Sequence, residues 1–231
     1  MPRIARVVAP GVPHHVTQRG NRRQRTFFNS GDYRAYIDLL AEWCERFAVE
    51  IWAYCLMPNH IHLIAVPDTT QGLTLTLRET HRRYTLRINR REGWQGFLWQ
   101  GRFFSFPMDE THLLLAARYI ELNPLRAGLA RRPEDYPWSS AAANMFGKKD
   151  RLVGAARIPE MVGDWQSFIG EGIEPSNAEM FRKHERSGRP LGGNSFISEL
   201  EAELGRSLRK AKTGPKPGAG RQSDVSPKLA I

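Results

Sequence analysis

The chain has 231 residues, 41% of them hydrophobic, and carries a net charge of +10. That suits one sizeable folded domain with an appendage, and no apolar run reaches the roughly 18 residues of a membrane-spanning helix. Met1-Pro2-Arg3-Ile4-Ala5-Arg6 lacks the apolar segment of a signal peptide, and Cys44 and Cys55 lie in apolar-patterned stretches as buried thiols rather than a disulfide framework, so a reducing cytoplasm is expected.

The basic balance favours a polyanionic partner, and nucleic acid is the usual one. Half of the excess sits in 209–231, where Arg209, Lys210, Lys212, Lys216, Arg221 and Lys228 face Asp224 alone. The body of the chain is therefore basic without this tail.

In chain order, Val12 to Arg19 has a short strand-like core around Val16 and Thr17. Gly20-Asn21-Arg22-Arg23-Gln24-Arg25 follows as a donor-rich loop whose glycine permits an unusual turn. It is either a solvated turn or a loop that contacts phosphates and bases through Arg19, Asn21 and Arg22. Residues 32–47 carry a helical stripe of Tyr33, Tyr36, Ile37, Leu40, Trp43, Cys44 and Phe47, with Ser30 or Asp32 as the cap.

Val49 to Leu56 reads as a buried strand, and Met57-Pro58-Asn59 as a tight connection. The next strand is His60-Ile61-His62-Leu63-Ile64-Ala65-Val66. Alternation points both histidines one way and Ile61 into a core. Two polar residues on a wet strand face would look the same; two ligands for one divalent cation is the sharper reading.

Residues 72–91 form a second helix, with Leu73, Leu77, Tyr84 and Ile88 on its apolar side. Arg78, Arg82, Arg83, Arg87, Arg90 and Arg91 crowd the rest, which tilts an ordinary solvated face toward a phosphate surface. Residues 97–106 read as a strand broken near Gln100-Gly101-Arg102. Its aromatics suit a core, while Trp99 and Arg102 suit either packing or nucleic-acid contact. Strand, helix, strand, strand, helix, strand is the α+β, ferredoxin-like βαββαβ order, with two helices on one sheet face.

The other face is left for a helix over 109–123, capped by Asp109 and stopped by Pro124. Tyr119 and Asn123 share one side of its end. Residues 125–146 form a packed return. A C-terminal extension over 147–208 follows, with helices near 176–186 and through Phe196, Ile197, Leu200, Leu204 and Leu208. The basic tail 209–231 is expected to be disordered when free. The expected domains are thus 1–146, 147–208 and 209–231. His14, His15, His81, His112 and His184 read as surface or internally satisfied histidines.

His60, His62 and the Asn123 amide oxygen make a mixed nitrogen and oxygen set that suits Mg²⁺ or Mn²⁺ bridging to a substrate phosphate. Tyr119, one turn from Asn123, is then placed as a nucleophile. A phosphotyrosine would conserve the bond energy and let cleavage run back as rejoining.

The chain resembles the HUH single-tyrosine transposases, and among them the REP-associated tyrosine transposases. The matching text is His15-Val16-Thr17-Gln18-Arg19-Gly20-Asn21, Met57-Pro58-Asn59-His60-Ile61-His62-Leu63, Trp99-Gln100-Gly101-Arg102-Phe103, Tyr119-Ile120-Glu121-Leu122-Asn123-Pro124-Leu125-Arg126-Ala127-Gly128-Leu129 and Pro137-Trp138-Ser139-Ser140. It runs in register over roughly residues 1–145, and 188–208 is similar to the end of longer members. The resemblance implies metal-dependent cleavage and rejoining of single-stranded hairpin DNA, the tyrosine keeping a 5′-phosphate. It implies His60 and His62 as metal ligands and Tyr119 as nucleophile. Asn123 stands where relatives often carry glutamine. The resemblance further implies a monomer; the sequence leads to no membrane and implies no protein partner. Two alternatives stay open: a protein that binds hairpins without cutting, and a metallohydrolase in which water attacks.

Overall fold

The computed structural model describes residues 4–154 and 157–210. The tail expected to be disordered lies, from residue 211 on, outside the described residues. β1 (His14–Arg19), a 3-10 turn at Asn21–Arg23, α1 (Ser30–Arg46), β2 (Val49–Met57), β3 (His60–Pro67), α2 (Gly72–Glu92) and β4 (Phe104–Pro107) follow in the expected order. The strands form one antiparallel sheet in the order β2-β3-β1-β4, the ferredoxin-like arrangement.

Alternation along the strands builds two cores. Val16, Ile61, Leu63 and Ala65 face α1 and α2, where they bury with Tyr36, Leu40, Leu73, Leu77 and Tyr84. A register shift between Ile51 and Ala53 puts Ile51, Tyr54 and Leu56 on that face despite their uneven spacing. Each Val, Leu or Ile among them contributes about 1.5–3 kcal/mol on burial. Asn29, rather than Ser30 or Asp32, caps α1: its side chain accepts from the Asp32 N–H at 3.1 Å. The buried Asp32 carboxylate instead takes the Phe28 N–H and the Arg91 guanidinium, joining α1 to α2.

The strand expected over 97–106 is confined to Phe104–Pro107. Gly101 (φ 59°) turns left-handed inside the stretch, and 97–103 is a loop held to the end of β1 by the Gln100 N–H donating to Arg19 O at 2.8 Å and by a Gly20–Trp99 bridge.

α3 (Glu110–Glu121) starts at its expected cap, Asp109, which accepts from the His112 N–H at 3.0 Å. Pro124 does not stop the helical chain. It enters a short second helix, α4 (Asn123–Arg126), whose first turn needs no proline N–H. α5 (Ala141–Phe146), α6 (Arg157–Val162), α7 (Trp165–Gly170), α8 (Pro175–Ser187) and α9 (Asn194–Leu204) complete the described elements. α6 and α7 are six residues each, too short for an apolar period to reveal them.

The second sheet face, with Ala53, Cys55, Met57, Ile64 and Phe106, packs against Leu113, Ala116, Ala117, Tyr119 and Ile120 of α3 and against Ala178 and Phe181 of α8. The return through Tyr136-Pro137-Trp138-Ser139-Ser140 covers the outer edge of β2: Leu56 N donates to Trp138 O and Ser140 N to Tyr54 O. An open strand edge is thereby closed. α9 packs Leu200 on Val7 and Ala9 of the N-terminal segment.

Candidate active site

β3 is an inner strand, and its alternation delivers His60 and His62 to the α3 face. Their ring centroids are 5.0 Å apart. Tyr119, on the sheet side of α3, stands edge-on to His62 at 5.8 Å. The structure therefore brings together three residues named from sequence that come from two separate elements.

Asn59 orients His60. Its Nδ2 donates to Arg23 O at 3.0 Å, so its Oδ1 is left to accept from His60 Nδ1 at 2.6 Å. The His60 lone pair then lies on Nε2, free for a ligand. Arg19, directly across from His60 in the β1–β3 ladder, adds to burial in holding that imidazole down to about 4. His62 is pushed well below 6.5, first by burial and then by His60, His15, Arg19 and Arg126. Both rings are uncharged at neutral pH, the state a metal ligand needs.

Asn123 is buried at the start of α4, and its Nδ2 has no hydrogen-bond partner. Its Oδ1 accepts from Arg126 Nη1 at 3.4 Å, and the Arg126 guanidinium lies 4.8 Å over the Tyr119 ring. One cation thus touches both helix-end residues named from sequence.

The seven expected DNA contacts do not lie together. Arg19 pairs with His60 across the β1–β3 ladder and Arg23 lines the same cavity, while Asn21 and Arg22 lie in the 3-10 turn, which holds Arg22 (φ 52°) and Arg23 (φ 62°) left-handed. Gly20 is needed there for room rather than for its φ of −60°: a Cβ would meet Gln24 O at 2.3 Å. Arg78, Arg82 and Arg83 project from α2 on the opposite side and share Glu79. Arg102 and the 86% exposed Phe97 line a groove of about 640 Å³ with Arg78 and Arg82.

His15, expected to be a surface or satisfied histidine, is fully buried in the site; His14, also buried, and His81, half-buried, are internally hydrogen-bonded as expected. His15 Nε2 meets His62 Nδ1 at 3.1 Å, and burial takes its imidazole down to about 3. Thr17 pairs with His62 across the ladder, so His15, Thr17 and Arg19 share the histidine face. That depends on register, which the β1 sequence alone does not carry.

α8 closes the site. Phe181, fully buried, lies 5.1 Å from the Tyr119 ring and 5.9 Å from His15. One turn on, Glu185 offers a carboxylate oxygen within 4.8 Å of donor atoms on His15 and His62. Its Oε1 is buried without a partner, and burial raises its carboxyl to about 7 against the pull of Arg19, Arg182 and Arg186. No signal in the sequence ties Glu185 to β3. A cavity of about 310 Å³, lined by His60, His62, Arg19, Arg23, Arg182 and Glu185, opens here. Its arginines suit an anionic ligand, and the orphaned buried polar atoms around it fit a metal-holding role.

Residues 11–123 match the family described as "Transposase IS200 like". A REP-associated tyrosine transposase of Haemophilus influenzae Rd is 27% identical over 108 residues, 42% of this chain and 61% of the relative. The chain thus spans about three-fifths of that relative's length. Among solved structures, a REP-associated tyrosine transposase bound to a REP hairpin superposes with a TM-score of 0.55 at 20% identity, covering 68% of this chain and 93% of that one. That likeness establishes the shared fold.

Proposed function

We propose, for a chain whose residues 11–123 match the IS200-like transposase family, a metal-dependent single-stranded DNA endonuclease and strand transferase. It cleaves and rejoins hairpin DNA of the REP kind through a covalent 5′-phosphotyrosine on Tyr119. The observation that carries this is the meeting of Tyr119 from α3 with His60 and His62 from β3, beside an arginine-lined cavity.

Tyr119 Oη attacks the phosphorus, the 3′-oxygen leaves and takes up a proton, and the 5′-phosphate stays on the tyrosine. The reverse attack by a 3′-hydroxyl rejoins a strand without an external energy source. His60, His62 and Asn123 would hold Mg²⁺ or Mn²⁺, which supplies Lewis-acid polarisation of a phosphodiester oxygen. Arg126 sets a fixed positive charge against Tyr119, and Arg19, Arg23 and Arg182 receive the phosphate. Arg22, Asn21 and the more distant Arg78, Arg82, Arg83 and Arg102 would track the backbone. The domain division at about residue 146, and action as a monomer, belong to the same reading.

Tyr119 is only 6% exposed beneath Phe181, which favours, as a second reading, a protein that binds hairpins without cutting. A denaturing gel of labelled hairpin DNA separates them. Wild type with Mn²⁺ should give a protein-sized adduct that chelator and Tyr119→Phe both abolish. Metal-dependent cleavage surviving in Tyr119→Phe would instead indicate attack by water. Tight binding with no cleavage would favour the second reading.

A further inference from the structure

We propose that Glu185 of α8 joins His15 and His62 in holding a divalent transition-metal ion, so that the C-terminal extension supplies part of the metal site. This rests on the metal-dependent reading above but replaces its His60, His62 and Asn123 set with one that shares only His62, and the binding itself requires no DNA.

His15 Nε2 and His62 Nδ1 now share a hydrogen bond, which a bound ion would replace. Two nitrogen donors each about 2.0–2.1 Å from a tetrahedral ion lie about 3.3 Å apart. His15 Nε2 and His62 Nδ1 are 3.1 Å apart. The Glu185 oxygen completes a triangle whose sides are all within 4.8 Å. Rotation of a flexible glutamate side chain closes the remaining gap of about 1.5 Å or less.

Glu185 has no partner among the described residues that accounts for its buried Oε1. Its Oε1 is sealed from solvent and accepts no hydrogen bond, a costly state for a carboxylate. No arginine of the cavity pairs with it, although Arg19, Arg182 and Arg186 line the same space. His15 Nδ1 is also buried without a partner. Phe181, one helical turn before Glu185, packs on His15 and Tyr119 and fixes which face of α8 meets the sheet.

Two imidazoles and one carboxylate form a borderline donor set, which prefers Zn²⁺ or Mn²⁺ over the harder Mg²⁺. Three protein ligands leave a fourth position open, as in catalytic rather than structural sites. A metal bound this way ties α8 to β1 and β3, joining the extension to the sheet through one ion.

The test is calorimetric titration of Zn²⁺ and of Mn²⁺ into the chelator-treated full chain, with thermal unfolding in parallel. Wild type should bind one equivalent and melt at a higher temperature with the ion. Glu185→Gln and His15→Gln should each weaken binding at least tenfold and lose that rise, with metal-free melting close to wild type. Glu185→Asp, which keeps the carboxylate, should retain part of the affinity. Binding by Glu185→Gln equal to wild type would overturn the assignment. If His60→Gln then lost the ion, the His60 and His62 set of the proposed function would still stand. Absence of any binding by wild type would overturn the assignment as well. Adduct formation on hairpin DNA is measured separately, so the two readings fail independently.

Discussion

Two residues from Tyr119, Glu121 is wholly buried and yet fully partnered. It accepts from Ser140 Oγ and Asn144 Nδ2 at 2.6 Å each and from Trp165 Nε1 at 2.9 Å. Burial pushes its carboxyl up, while those three donors pull it back. The carboxylate thereby fixes the end of α3, and with it Tyr119, to α5 and α7. Glu121→Ala leaves three buried donors unsatisfied and should cost about 3 kcal/mol or more in urea unfolding; a loss below about 1 kcal/mol would show that water replaces the carboxylate. His60, His62 and Tyr119 were legible because strand alternation and helical spacing are local rules. Glu121's role was not, since its partners lie at positions 140, 144 and 165. The same reason hid His15, whose place depends on the β1–β3 register, and Glu185, whose place depends on where α8 returns.

Among the elements, α8 has the most consequence for the site. Its sequence period predicted a helix near 176–186, and the structure places Pro175–Ser187 across the histidine face. What the period could not give was the packing partner. Phe181 is fully buried among His15, Tyr119 and the α3 core. Phe181→Ala should destabilise the chain by about 3–5 kcal/mol, lowering the melting temperature by roughly 6–20 °C for a chain of this size. A shift under about 2 °C would mean that α8 contributes little to the fold. The 97–106 stretch shows the opposite lesson. Its aromatics resemble a strand, but the chain turns left-handed at Gly101 and only Phe104–Pro107 joins the ladder. The βαββαβ order survived that error because the four strands still pair as the core pattern requires.

Over the whole molecule, buried histidines make stability depend on pH. His14 is taken down to about 4 and His81 to about 3, in both cases chiefly by burial. Their unfolded value is 6.5. Their contribution is therefore fully present above about 6.5 and is lost as pH falls toward 4 and 3, because the unfolded chain takes up protons first. Each such histidine subtracts about 1.4 kcal/mol per pH unit in that window. Urea unfolding in chelator should show stability falling by about 3–4 kcal/mol between pH 7.5 and 5 from these two alone; a flat profile would contradict the burial. No described helix is long and apolar enough to cross a membrane. The charge of +10 and the arginine-lined cavity point the molecule at a polyanion. The most direct measurement is mass spectrometry of tryptic peptides after reaction with single-stranded hairpin DNA and Mn²⁺. Cleavage after Arg118 and Arg126 isolates Tyr119 with no other tyrosine. The account predicts a nucleotide 5′-phosphate on that peptide alone. A nucleotide on Tyr136 or any other peptide, or cleaved DNA with no modified peptide at all, would contradict it.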